Sequence, residues 1–77
     1  MNAMYTFSFS REEETKEHVR KISASSYANA IEKACILLEE LDDDLDLLGL
    51  EDWEEVQDEC ADHGLYVSDL NEEYDEW

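Results

Sequence analysis

Proline is absent from this 77-residue chain, and glycine occurs only at positions 49 and 64. Linkers are built largely from those two residues and serine, so nothing divides the sequence, and no internal repeat is present. One small domain over residues 1–77 is expected. At that size folding buries roughly 60% of the surface the unfolded chain exposes, which makes the core marginal. Long apolar runs are missing too: none approaches the roughly 20 residues that span a bilayer. The first residues lack the basic, then apolar, then small-residue order of a secretory signal. Cysteine occurs twice, at Cys35 and Cys60, too few for a disulfide framework, and a reducing cytoplasm is the expected setting. Basic residues are the scarcest of the charged types. Five Lys and Arg stand against 23 Asp and Glu, a net charge of −18. Such a chain repels nucleic acid phosphates and anionic membrane surfaces, so direct binding to either is not expected.

The acids that are present are unevenly placed. Residues 1–38 hold all five bases (Arg11, Lys16, Arg20, Lys21, Lys33) and five glutamates (Glu12, Glu13, Glu14, Glu17, Glu32), and sum to zero. Residues 39–77 hold eighteen acids and no base. A neutral half is joined to a polyanionic half.

The neutral half predicts an antiparallel β-hairpin covered by one helix, a ββα unit of the α+β class. Tyr5, Phe7 and Phe9 alternate with Thr6, Ser8 and Ser10, the period of a strand with one buried face. After a polar turn at Glu12–Thr15 a second strand is expected from about Glu17 to Ala24. Its apolar members, Val19 and Ile22, are three apart; a bulge would explain that break in alternation, and so would a misread strand. Ser25 or Ser26 suits a helix N-cap. Tyr27, Ala30, Ile31, Ala34, Cys35, Leu38 and Leu41 follow at spacings of three and four, predicting a helix from about Tyr27 to Leu41 with one face on the sheet.

In the acidic half, Asp42, Asp43 and Asp44 should stop or fray that helix, because like charges gather at its negative end. Leu45, Leu47, Leu48 and Leu50 are expected to contact the core. A second, acidic helix is predicted from about Asp52 to His63, with Trp53, Val56 and Cys60 inward. Gly64 suits its left-handed terminator, with Leu65 as the apolar contact. Residues 65–67 read as a possible short third strand. The end, Asn71 to Trp77, reads either as a frayed tail or as an acidic-aromatic contact strip.

Seven acids, Glu51, Asp52, Glu54, Glu55, Asp58, Glu59 and Asp62, fall within twelve residues. At helical rise that is one charge per roughly 2.6 Å, against about one per 1.7 Å of duplex DNA. The Glu51–Glu55–Glu59 ladder would set carboxylates about 6 Å apart along one face. A groove lined for phosphates would be attracted to this surface. Candidate partner-binding residues are therefore Asp42, Asp43, Asp44, Asp46 and the seven acids above, extended by Glu72, Glu73, Tyr74, Asp75, Glu76 and Trp77, where aromatic anchors sit among acids.

Other chemistries find less material. Asp44, Asp46, Gly49, Asp52 and Glu55 fall at positions one, three, six, nine and twelve of an EF-hand calcium loop. Leu48 replaces its fifth-position ligand, Glu51 its usual apolar eighth residue, and no second loop pairs with it. Cys60-Asp-Asp-His63 lacks the ligand set of a closed zinc site. Cys35 and Cys60 fall on apolar stripes and read as buried thiols. His18 and His63 have no evident nucleophile beside them, and two glycines leave little material for an active-site cleft. Neither catalysis nor a cofactor is expected.

In size, in the charge of residues 39–77 and in the segment Glu51–Asp62, the chain resembles the small acidic DNA-mimic inhibitors of phages and mobile elements. Anti-CRISPR and anti-restriction proteins are of this kind. The resemblance implies inhibition by occupancy, with carboxylates taking the place of phosphates in a Lys/Arg-lined groove. The implied partner is a basic nucleic-acid-binding protein or complex, such as a CRISPR effector or restriction enzyme, in the host cytoplasm. The inhibitor would be a monomer or small homo-oligomer. The neutral half would then be scaffold, with Arg20 and Lys21 as a second contact. Two alternatives stand beside it: an acidic adaptor of a basic protein without nucleic-acid competition, and a weak calcium-binding module.

Overall fold

A computed structural model describes residues 2–73, in the order β1 (Ala3–Arg11), β2 (His18–Ala24), α1 (Tyr27–Leu41), α2 (Trp53–Asp62), β3 (Leu65–Val67) and β4 (Asn71–Glu73). The fold is α+β, an antiparallel four-stranded sheet and two helices, and it opens with the ββα unit. β1 is central. It pairs with β2 along one side, and with β3 and β4 end to end along the other.

The alternation in β1 does what its period requires. Tyr5, Phe7 and Phe9 are buried beneath the helices, while Thr6, Ser8 and Ser10 stay half-exposed on the opposite face. β2 corrects one expectation. Its register with β1 runs unbroken from Ala3 opposite Ala24 to Phe9 opposite His18, so no bulge interrupts it. The inward row of β2 is His18, Arg20, Ile22 and Ala24, and Val19 is 59% exposed on the open face. The row looked irregular because two of its inward members are polar. The His18 ring stacks on Phe9 at 5.2 Å, and the Arg20 guanidinium lies 5.3 Å from the same ring. Both cover an aromatic with an amphipathic side chain instead of an aliphatic one.

A bulge does occur, on the other side of β1. Between the pairs Phe9–Val67 and Thr6–Asn71, β1 supplies Phe7 and Ser8 while the opposing chain supplies Ser68, Asp69 and Leu70. The extra residue divides one strand into β3 and β4. Ser68 holds the break: its amide donates to the Ser8 carbonyl and its hydroxyl accepts from the Ser8 amide, each at 2.8 Å. From α2, Trp53 Nε1 donates to the Ser68 carbonyl (2.8 Å) and Gln57 Nε2 to the Val67 carbonyl (3.0 Å). These two side chains, four apart on the helix, satisfy carbonyls that the broken ladder leaves over. β4 itself was read as tail or contact strip; its three residues continue the sheet.

Helix α1 begins at Ser26, whose hydroxyl accepts from the Asn29 amide at 3.1 Å. It ends where three aspartates begin. Asp42 is the C-cap, its side chain accepting from the Asp44 amide. No base lies in the last turn of α1, but Arg11 reaches across from β1 to the Leu41 carbonyl at 3.0 Å. That borrowed cation offsets the unfavourable charge at the helix end. Ala30, Ile31, Ala34, Cys35 and Leu38 are buried, and Tyr27 and Leu41 are half-exposed at the two ends of the stripe. α2 starts from the Asp52 cap and closes on Gly64 at φ +75°, with Leu65 buried behind it.

The core lies between the sheet and the two helices. Phe7 meets Trp53 edge-on at 5.6 Å, and Tyr5 meets Tyr27 at 6.1 Å. Leu45 and Leu47 are buried as expected, but Leu48 is 88% exposed and makes no part of the core. Cys35 and Cys60 are both buried and unbridged. Burial, reinforced by Glu39 and Glu32, pushes the Cys35 thiol up to about 11. Burial pushes Cys60 up to about 12, with Cys35, Glu59 and Asp42 adding to it. Both are neutral packing groups at physiological pH. Among the described residues, no helix is long and apolar enough to cross a membrane.

Candidate functional site

Helix α2 is amphipathic by necessity: burying Trp53, Val56 and Cys60 against β3 and the core turns the intervening acids outward. Glu54, Glu55, Asp58 and Asp62 are exposed and Glu59 is half-buried. Glu55, Asp58 and Asp62 stand three and four apart, one stripe with about 6 Å between successive carboxylates. Glu54 and Glu55 occupy the first turn, where the helix dipole favours them. Asp58, Glu59 and Asp62 run toward the negative end and receive no such help. The expected ladder is shorter than its spacing suggested, because Glu51 precedes the Asp52 cap and lies outside the helix. Five acids over the ten helical residues amount to one charge per roughly 3 Å of axis.

The preceding segment adds to the same half. Asp43, Asp44 and Asp46 are exposed beside half-buried Asp42, and Glu51 and Asp52 are exposed at the approach to α2. Burial of Leu45 and Leu47 alternates with exposure of the aspartates, so the leucines fix the loop and the acids face outward. In the stretch that matches a calcium loop, those leucines and Trp53 turn inward to the core. Among the described residues no three His, Cys, Asp or Glu side chains gather as a set that could hold a metal ion.

The C-terminal candidates divide. Glu73 pairs with Met4 on the open face of the sheet and approaches the Lys21 ammonium at 3.9 Å. It therefore sits away from the α2 stripe. Glu72 lies opposite Tyr5. Tyr74, Asp75, Glu76 and Trp77 lie outside the described residues.

Four of the five bases are engaged away from α2. Arg11 bonds the Leu41 carbonyl and lies 3.9 Å from Glu14. Arg20 covers Phe9 and donates to the Val19 carbonyl at 2.9 Å. Lys21 faces Glu73, and Lys33 donates to the Ser23 carbonyl at 2.6 Å. Arg20 and Lys33 thereby blunt β2, an edge strand of the sheet. The ion pairs among the described residues join Arg11 to Glu14 and Lys21 to Glu73, and the His18 ring hydrogen-bonds Glu14 at 3.2 Å. None reaches α2 or the 42–52 segment. Arg20 and Lys21, expected as a second partner contact, are engaged within the sheet.

Sequence reasoning missed an apolar groove beside the acids, between the outer side of α1 and residues 47–51. Its signal was present in Leu48-Gly49, a turn pair inside a leucine run. Comparison with protein-family models, curated proteins and solved structures gave no match.

Proposed function

We propose that this protein is an acidic, anti-CRISPR-like inhibitor that mimics nucleic acid and occupies the basic groove of a nucleic-acid-binding defence complex. The observation that carries this reading is the α2 stripe, Glu55, Asp58 and Asp62, exposed on one helix and engaged by no cation among the described residues. Surface carboxylates without partners gain nothing for the isolated fold and strain it by mutual repulsion. Against a Lys/Arg-lined groove the same charges steer encounter and take up the contacts made for phosphates. The Asp43, Asp44, Asp46 and Glu51 carboxylates extend the surface beyond the helix. The sheet and α1 act as the scaffold that holds the stripe straight. No cofactor or catalytic step enters this mode of action, and the partner's setting is the host cytoplasm.

The test is capture from nuclease-treated host lysate, followed by elution of the bound protein with DNA or RNA at constant ionic strength. One dominant nucleic-acid-binding complex, released by its nucleic acid, is the expected result. A dominant partner that nucleic acid fails to release would replace mimicry with an adaptor role. Assorted basic proteins washing off together in salt would remove the reading altogether.

A further inference from the structure

A groove of about 650 Å³ opens between the outer side of α1 and the turn that follows Leu47. The turn is built to hold one side chain out. The Leu50 amide donates to the Leu47 carbonyl at 3.2 Å, and Gly49 takes φ +88°, the geometry of a type II turn with glycine in its third position. Leu47 is fully buried on one side of the turn and Leu50 packs against the core on the other. Leu48 is thus displayed at the tip, 88% exposed, by a turn pinned at both ends. Across the groove stands Ile36, 58% exposed on α1. Single exposed apolar residues are ordinary on a small protein. Two that line one groove, in a chain of net charge −18, are not.

The remaining lining identifies the occupant. Glu32, Glu39 and Glu51 place three carboxylates along the groove, Glu39 also accepting from the Leu47 amide at 3.0 Å, and no cation lines it. A second copy of the chain would bring another −18 to the same place, and a neutral apolar ligand would leave Glu32 and Glu51 unused. We infer that the groove docks a basic amphipathic segment of a partner protein. One or two large apolar side chains enter between Ile36 and Leu48, and flanking Lys or Arg meet the three carboxylates. Nucleic acid offers no such apolar anchor, so this contact goes beyond phosphate mimicry and stands or falls separately from the α2 stripe.

The test uses two fluorescent peptides of about 16 residues and equal positive charge, read by anisotropy with the full chain at about 0.15 M salt. One carries leucines at i, i+3, i+4 and i+7; in the other every leucine is serine. The leucine peptide is expected to bind about tenfold or more tightly, the scale of burying one large aliphatic side chain. The charge-neutral double variant Ile36→Ser/Leu48→Ser, both positions exposed, should bind the two peptides alike. Glu55→Lys/Asp58→Lys/Asp62→Lys should weaken both peptides yet keep the leucine preference. Equal binding of the peptides by the native chain overturns the inference, as does a preference that survives Ile36→Ser/Leu48→Ser. Neither result touches the α2 reading, which its own partner capture decides.

Discussion

The two halves of this chain share one core and differ in what they show to solvent. Residues 1–38 contribute ten of the buried apolar side chains and residues 39–73 contribute seven, so neither half is a tail on the other. Outside, the first half balances its charges and uses them: Arg11 caps a helix end, Arg20 covers an aromatic ring, and Lys33 blunts an edge strand. The second half brings no base of its own. Its fold therefore rests on apolar packing against the first half, opposed by repulsion among its own carboxylates. Apolar packing keeps α2 in place, and no ion pair among the described residues covers its outer face.

The largest expected effect breaks the packing that joins the halves. Trp53→Ala removes the edge contact to Phe7 and leaves the Ser68 carbonyl of the bulge without its donor. A cost of about 3–5 kcal/mol is expected in urea unfolding. Tyr66→Ala, half-exposed on the open face, should stay within about 0.5 kcal/mol.

Next in size is a variant that should move binding and stability in opposite directions. Glu55→Lys/Asp58→Lys/Asp62→Lys changes three charges by two each, from −18 to −12. Partner affinity should fall roughly 100-fold, the scale of losing several charge contacts, while Tm at low salt rises by roughly 5 °C. Added salt should likewise raise the Tm of the native chain, as the screening length shortens from about 30 Å at 0.01 M to about 10 Å at 0.1 M. A Tm indifferent to both would mean that the acids do not strain the fold.

A smaller effect comes from the thiols. Unfolded cysteines ionise near pH 8.5, whereas the folded pair keeps its protons to about 11 and about 12. The unfolded state then binds fewer protons, so this contribution is intact below about pH 8.5 and falls as pH rises toward 12. At pH 8 both thiols should label at least about 100-fold more slowly in the native state than in denaturant. The smallest expected effect is at Val19→Thr, near zero on the open face, whereas Ile22→Thr, buried three residues further along β2, should cost about 1–3 kcal/mol.

Much of this arrangement was legible in the residues, and the failures have physical causes. The β1 alternation, the α1 stripe, the helix running to Asp62 and the Gly64 stop follow local periods and caps, which neighbours in the chain determine. The inward row of β2 was hidden because an arginine and a histidine serve as its apolar cover, stacked on an aromatic from another strand. β4 was hidden because Asn71-Glu72-Glu73 has no apolar alternation at all; backbone pairing to β1 makes it a strand. Leu48 looked like core because leucine content carries no direction, and only the turn at Gly49 turns it outward. The candidate acids were legible as a set, but only the fold separates Glu73, held by Lys21, from the stripe on α2.

The most direct test of this division is amide hydrogen exchange of the chain alone and bound to its captured partner. Added protection concentrated in residues 42–62, with β2 and the open sheet face unchanged, is the result expected. Protection on β2 and the open sheet face, with α2 unchanged, would contradict the account and move the interface to the neutral half.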